Sequence, residues 1–125
     1  MKRLELRPVP MLSSAPSADN CLIIAGQVAE SSSVRTTPAG VLIGQFLLDH
    51  HSGQVEAGLP REVRCRIPVV ACGETLARTA GRLSPGDRVR VRGFVGRAHY
   101  REGESRLVLH AVHIDVLNTE LSEII

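Results

Sequence analysis

Residues 83–117 read LSPGDRVRVRGFVGRAHYREGESRLVLHAVHIDVL, and this stretch decides the fold. It opens with a turn over Ser84–Asp87, in which Pro85 presets one backbone dihedral and Gly86 accepts a positive φ. After the turn, small apolar residues alternate with arginines, namely Val89, Val91 and Gly93 with Arg88, Arg90 and Arg92. A repeat of two residues places the two sets on opposite faces of a β-strand.

A second strand follows within the same stretch. His99–Ser105 combines charge and turn-forming residues with no apolar repeat, which predicts a loop. Leu107–Leu117 is rich in β-branched and apolar residues, which predicts the returning strand. The two strands form a β-hairpin with one apolar face, one arginine-bearing face and a basic loop. Because an isolated hairpin is marginally stable, the rest of the chain must supply further strands.

Three more strands and one short helix are predicted ahead of this hairpin. The strands are Cys21–Ala29, Val41–His50 and Arg61–Ala71, the loops lie near Arg35–Gly40 and over Ser52–Pro60, and the helix lies within Gly73–Leu83. Gly26 predicts a bulge or sharp bend in the first strand, and Pro68 predicts an edge or a bulge in the third. This order predicts an all-β fold, a five-stranded antiparallel OB-fold barrel with one short helix between strands 3 and 4.

The length of 125 residues predicts a single domain. We expect the OB-fold domain to cover residues 20–117. Residues 1–19 hold three prolines and a Ser-rich tract with no sustained repeat, so we expect a flexible N-terminal extension that folding does not require. Residues 118–125 are expected to form a short C-terminal tail.

Charge is unevenly distributed along the chain. The net charge is +2, but residues 61–106 carry eleven arginines against five acidic residues, while the other segments carry four basic residues against eight acidic ones. A basic half on a near-neutral chain favours an anionic partner. Hydrophobic residues make up 43% of the chain but include only two Phe, one Tyr and no Trp, so the core must be aliphatic and surfaces for base stacking are scarce.

Several classes of protein are disfavoured by the sequence. Neither a signal peptide nor a membrane-spanning apolar run is apparent. The three cysteines, Cys21, Cys65 and Cys72, lie in apolar or strand-like runs without a C-x-x-C pair, which predicts reduced, buried thiols in a cytoplasmic protein and no zinc site. The Ser31-Ser32-Ser33 run lacks a nearby base and no glycine-rich phosphate loop is present, so we expect a protein that is not an enzyme and has no cofactor.

Short motifs spread along the predicted barrel match a known family. They are Asn20-Cys21-Leu22, Gly26-Gln27-Val28, Gln45-Phe46, Glu56-Ala57-Gly58, Pro68-Val69, Gly93-Phe94 and Val108-Leu109-His110-Ala111. Through these residues the chain resembles the PriB family (primosomal replication protein N), OB-fold relatives of single-stranded DNA-binding protein. The resemblance implies a homodimer that binds single-stranded DNA and joins PriA helicase to DnaT during replication restart at stalled forks.

The resemblance also implies which residues contact DNA. The basic contacts of the family fall on Arg35 in the first hairpin loop and on three residues of the last hairpin loop, His99, Arg101 and Arg106. Two aromatic contacts of the family fall on Leu59 and Arg64. Neither position is aromatic here, which removes the family's ring contacts, although a guanidinium plane at Arg64 can still stack on a base.

The residues themselves favour the same surface. Arg97 and Arg106 flank the last loop, where arginines near phosphates would release condensed counterions and bind without regard to sequence. Tyr100 in this loop can stack on a base. Arg64 and Arg66 can line a groove together with some of Arg88, Arg90 and Arg92, although all five cannot lie on one surface.

Two other functions remain open at this point. One is a protein-interaction adaptor that binds nucleic acid only weakly, since the family's aromatic contacts are missing. The other is an OB module that binds RNA or tRNA.

Overall fold

The regular elements all lie within residues 18–30, 32–98 and 106–117, the part of the chain that the computed structural model describes. They are β1 (Leu22–Val28), β2 (Ser33–Thr36), β3 (Leu42–Glu56), β4 (Leu59–Cys72), α1 (Glu74–Gly81), β5 (Arg88–Arg97) and β6 (Leu107–Val116). The predicted tail and nearly all of the predicted extension lie outside these ranges, so both remain predictions. No helix within them is long and apolar enough to cross a bilayer.

The five longer strands close into a barrel. Paired neighbours follow the order β1-β5-β6-β4-β3, and β3 pairs back onto β1 through Gln27↔Asp49 and Val28↔Leu48. The short β2 pairs with the start of β3 outside this ring. The five-stranded barrel with one helix between its third and fourth strands is therefore confirmed, with β1, β3, β4, β5 and β6 as the five predicted strands.

One detail of the predicted barrel is wrong, because the strands are not all antiparallel. β4 and β6 are parallel neighbours, paired at Val69↔Leu109 and Val70↔His110, while the other pairings are antiparallel. A ring with an odd number of strands cannot alternate in direction all the way round. One parallel pair is therefore the least that a closed five-stranded barrel requires.

β5 follows the predicted alternation. Val89, Val91 and Gly93 are buried, and the arginines between them are exposed. The valines join an aliphatic core whose fully buried members include Val28, Leu48, Val69 and Leu109. The turn before β5 is also confirmed, since the Asp87 amide donates to the Ser84 carbonyl at 3.0 Å and the Ser84 amide to Oδ2 of Asp87 at 2.8 Å.

Gly26 lies where β1 passes from β5 to β3, but the register of β1 shows no bulge there. A Cβ at this position would overlap the backbone carbonyl of Asp49. The glycine therefore permits the close approach of two backbones at the closure of the barrel. The register shift of the sheet lies instead between Arg92 and Gly93, in the pairing of β5 with β6.

The loop predicted over Ser52–Pro60 is wrong, because β3 and β4 extend through most of it as a long hairpin arm. The arm turns through Ala57 and Gly58, whose φ values of 55° and 76° are typical of a type I′ turn. Residues 53–62 are exposed on both faces, so no apolar alternation marks them as strand. Gly53 and Pro60 added misleading loop signals.

The predicted burial of the cysteines is also wrong. Cys21 precedes β1, Cys65 lies on β4 beyond the core, Cys72 ends β4, and all three are exposed with free thiols. Position in an apolar run did not predict burial because these residues lie at the margins of the packed barrel.

Pro68 lies at an edge of the sheet, as the sequence predicts. β4 pairs with β6 only at Val69 and Val70, and the earlier residues of β4 pair with β3 alone.

Candidate nucleic-acid interface

The outer face of the β3–β4 hairpin forms a continuous surface. Cross-strand pairing places Leu47 opposite Pro68, Asp49 opposite Arg66 and His51 opposite Arg64. The alternate residues, among them Leu48 and Val69, point into the core. This surface, called the β3–β4 face below, therefore joins an apolar strip to a cluster of charges.

The two arginines of this face are only loosely paired. Nη2 of Arg66 lies 3.6 Å from Oδ2 of Asp49, and Nη2 of Arg64 lies 3.9 Å from Oε2 of Glu62. The side chains of Arg64 and Arg66 are 71% and 59% exposed. Exposed ion pairs of this length contribute little, so a phosphate can replace either carboxylate without a large loss.

His51 holds Glu62 on the same face. Their side chains meet at 2.7 Å between Nε2 and Oε2. The hydrogen bond from His51, and then the attraction of His51 and Arg64, lower the pKa of the Glu62 carboxyl from its ordinary value. Glu62 therefore keeps its negative charge in mild acid, and its contribution to folding is lost only as the pH falls through this lowered pKa.

Leu59 does not share this face. It pairs across the arm with Glu56, and its odd separation from Arg64 along β4 places the two side chains on opposite faces. Leu59 is 66% exposed and lies on the face that carries the Arg61–Glu56 ion pair of 2.8 Å. The two positions that match the family's aromatic contacts are therefore not brought together on one flat surface.

Arg35 extends the β3–β4 face at its other end. It lies on β2 opposite Ile43, which has the same parity along β3 as Leu47 and Asp49. Ser33, also on β2, lines a cleft of about 320 Å³ with Gln45, Leu47, Pro68, Val70 and Val108 of β6. The predicted contact at Arg35 thus adjoins the apolar strip.

The base of the β5–β6 loop lies beside the same cleft. Arg97 ends β5, and the amide of Ala98 donates to the carbonyl of Arg106 at 3.0 Å, so both arginines stand at the start of the loop. Val108, two residues beyond Arg106, lines the cleft. His99, Tyr100 and Arg101 lie outside the described residues, so their contacts remain predictions.

The arginines of β5 occupy a different wall of the barrel, as expected for five residues that cannot share one surface. Arg88 nevertheless meets the end of the β3–β4 face. It lines a cleft of about 460 Å³ together with Gln27, Asp49, His51 and Arg64, where β1 leaves β3. The two arginine-bearing walls are therefore contiguous at this cleft.

His50 and His51 are adjacent in β3, and their side chains point to opposite sides because successive residues of a strand alternate. His50 points toward β1, where Nδ1 donates to the Ala25 carbonyl at 2.6 Å and Nε2 accepts from the Ser52 hydroxyl at 2.8 Å. His51 points outward to Glu62. Among the described residues, no three His, Cys, Asp or Glu side chains gather in a way that could hold a metal ion.

A family model and a curated relative both match most of the chain and indicate the same family. Residues 20–113 match the model of a family described as "Another single-strand binding protein family". The chain is 38% identical over 100 residues to Replication restart protein PriB of Photorhabdus laumondii, in a match that covers 80% of this chain and 95% of that protein.

Solved structures agree with this match. The PriB structure from Ralstonia solanacearum superimposes with a TM-score of 0.71 at 29% identity, over 81% of this chain and all of that one. The small single-stranded DNA-binding protein from Streptomyces coelicolor gives a TM-score of 0.60 at 26% identity, over 80% of this chain and 95% of that one. The chain therefore belongs to the single-strand binding protein family and, within it, to the replication restart proteins PriB.

Proposed function

We propose that this protein is a single-stranded DNA-binding accessory protein of the replication-restart primosome, acting as a cytoplasmic homodimer that bridges PriA helicase and DnaT. The observation that carries the proposal is the β3–β4 face, where exposed, loosely paired arginines adjoin a cleft of mixed polar and apolar lining. The similarity of the chain to replication restart proteins PriB supports the role in replication restart. The part played by the protein is binding, and no catalytic step is assigned to it.

The chemistry of this face favours binding without sequence preference. Arginines at Arg35, Arg64 and Arg66 can contact phosphates, whose charge carries no sequence information. Leu47, Pro68 and Val70 offer apolar contact to bases but no ring on which a base can stack. The affinity should therefore depend strongly on salt concentration and only weakly on base composition.

The adaptor alternative rests on one specific observation. Leu59 and Arg64 lack aromatic rings and lie on opposite faces of β4, so the pair cannot clamp a base as two rings on one face would. If single-stranded DNA binds only weakly while PriA binds tightly, the adaptor function is favoured. Titration of the wild-type protein with single-stranded DNA and RNA oligonucleotides at two salt concentrations separates these functions.

The β5–β6 loop should contribute phosphate contacts of its own. Replacing Arg101 and Arg106 by Ala removes about two contacts, so the slope of log affinity against log salt should shrink by about 1.4, at ~0.7 for each contact to a single strand. The loss should be similar for oligonucleotides of different sequence. The measurement is fluorescence anisotropy of labelled oligonucleotides over a salt series, and an unchanged slope would show that the loop is only a solvated tip.

The proposed homodimer is supported by an open strand edge. β1 pairs with β5 along Leu22–Gln27 but meets β3 only at Gln27 and Val28, so the second edge of residues 22–26 has no strand partner among the described residues. An open edge of this kind is a ready site for pairing with a second copy. Light scattering at tens of micromolar should give twice the mass of one chain, and a strict monomer would contradict the proposal.

A further inference from the structure

An exposed aromatic pair lies on a wall of the barrel that is separate from the β3–β4 face. The ring of Phe94 stacks on the ring of His110 with a centroid distance of 4.9 Å and an interplanar angle of 12°. The chain has two phenylalanines, and the other, Phe46, is buried in the core. Phe94 remains 45% exposed. Core packing therefore does not account for a ring at this position.

Arginines continue from this ring along the same face of β5. Alternation places Arg90 and Arg92 on the same side as Phe94, opposite Asp115 and His113 of β6. Nη1 of Arg90 is 3.9 Å from Asp115, whose carboxylate already accepts a hydrogen bond of 2.8 Å from His113. Within the described residues, the side chain of Arg92 has no ion-pair or hydrogen-bond partner. The side chain of Arg90 is thus only weakly paired, and that of Arg92 is unpaired among the described residues.

A cleft beside the ring is large enough for a nucleobase. It measures about 440 Å³ and is lined by Asn20, Cys21, Arg92, Phe94 and Val112, among other residues. This volume lies in the range of small-ligand sites. The Asn20 amide is held in place by two hydrogen bonds of 2.9 Å to the backbone of Val95. Its oxygen and nitrogen each retain a second hydrogen-bonding position for the edge of a base.

We infer that the outer face of β5 and β6 is a second subsite for single-stranded nucleic acid, in which a base stacks at Phe94 and phosphates contact Arg92 and Arg90. The inference rests on the proposed function for the class of ligand, but it concerns a wall of the barrel that the β3–β4 face does not include. An exposed ring beside a row of arginines is the combination by which proteins bind single strands without sequence preference.

The cleft between the two walls supplies the connecting path. Arg64 ends the β3–β4 face and Arg88 begins the β5 row, and both line the cleft of about 460 Å³ where β1 meets β3. A strand that leaves Arg64 can pass Arg88 and continue along Arg90 and Arg92 to Phe94. A short oligonucleotide then occupies the β3–β4 face alone, and only a longer one reaches Phe94.

The absence of tryptophan from the chain permits a direct test in the full-length protein. The variant Phe94→Trp places a fluorophore in the proposed stack. Its emission should be quenched by a long oligo(dT), and it should stay unchanged when a short oligo(dT) saturates the protein. Thr75→Trp, on the exposed surface of α1, is the matched control and should not be quenched. Melting followed by circular dichroism verifies that both variants fold.

A second variant measures the contribution of the ring without a fluorophore. Phe94→Leu keeps an apolar side chain but removes the stacking surface, and should weaken binding of the long oligonucleotide about 5-fold or more while leaving the short one unchanged. Arg92→Gln should reduce the salt slope for the long oligonucleotide alone, by about 0.7.

Three results would overturn the inference, and they are distinguishable. If the long oligonucleotide binds tightly but leaves the emission of the Phe94→Trp variant unchanged, the second subsite is wrong and the proposed function stands. If the emission of this variant shifts with protein concentration in the absence of DNA, the ring packs against a second copy of the chain. If wild-type protein binds no oligonucleotide of either length, the proposed function falls together with the inference.

Discussion

Replacing Gly93 by alanine is expected to lower the free energy of unfolding by about 3 kcal/mol or more, or to prevent folding. A Cβ at Gly93 would overlap the carbonyl oxygen of His110 and lie 3.0 Å from the Cα of Ala111. These are backbone atoms of the paired strand β6, so no side-chain rotation relieves the overlap. Because Gly93 is buried at the register shift of β5 and β6, the barrel wall itself must move.

Gly53→Ala is the matched control for this prediction. Gly53 is also a strand glycine, but an added Cβ would have no atom within 4 Å. Its substitution should change stability by no more than about 0.5 kcal/mol. Urea unfolding followed by far-ultraviolet circular dichroism compares the two variants, and equal midpoints would show that the β5–β6 bulge accommodates a side chain.

The elements that the sequence predicts well are those with one buried face. In β5 the alternation of valine with arginine matches the observed alternation of burial, because one side of the strand packs on the core and the other meets solvent. The arm over residues 53–62 has no buried face, so its strands carry no such pattern and its glycine and proline favoured a loop. Burial, rather than strand propensity, made the barrel predictable.

The surface was predictable in its charges but not in its geometry. Arg64 and Arg66 lie on one face, as the strand alternation predicts, whereas Arg35 joins them through β2, where the sequence predicts a loop. Leu59 and Arg64 lie on opposite faces because the arm is β-strand. The sequence predicts a loop over most of the arm, so this separation could not be predicted. Phe94 is not among the site residues that the sequence predicts. Its stack on His110 depends on a pairing between strands that single-strand patterns do not show.

Replacing Arg64 and Arg66 together by glutamine should weaken single-stranded DNA binding more than the loss of two phosphate contacts alone. Two lost contacts reduce the slope of log affinity against log salt by about 1.4. On lowering the salt from 1 M to 0.1 M, the variant therefore gains about 25-fold less affinity than the wild type does. The variant also leaves Asp49 and Glu62 without the arginines that now lie 3.6 Å and 3.9 Å away. Both carboxylates then repel the phosphates, and the hydrogen bond from His51 keeps the pKa of Glu62 lowered without Arg64.

The control that isolates this surface is Arg78→Gln with Arg82→Gln at the helix. It makes the same change in net charge and likewise removes the partner of a carboxylate, since Arg78 lies 3.0 Å from Glu74. If long-range attraction by the whole protein dominates, both double variants should lose affinity equally. If the β3–β4 face contacts phosphates, only the Arg64 and Arg66 variant should lose the slope, in a salt titration by fluorescence anisotropy. Equal losses would contradict the assignment of this face and leave the β5 row and the β5–β6 loop as the DNA surface.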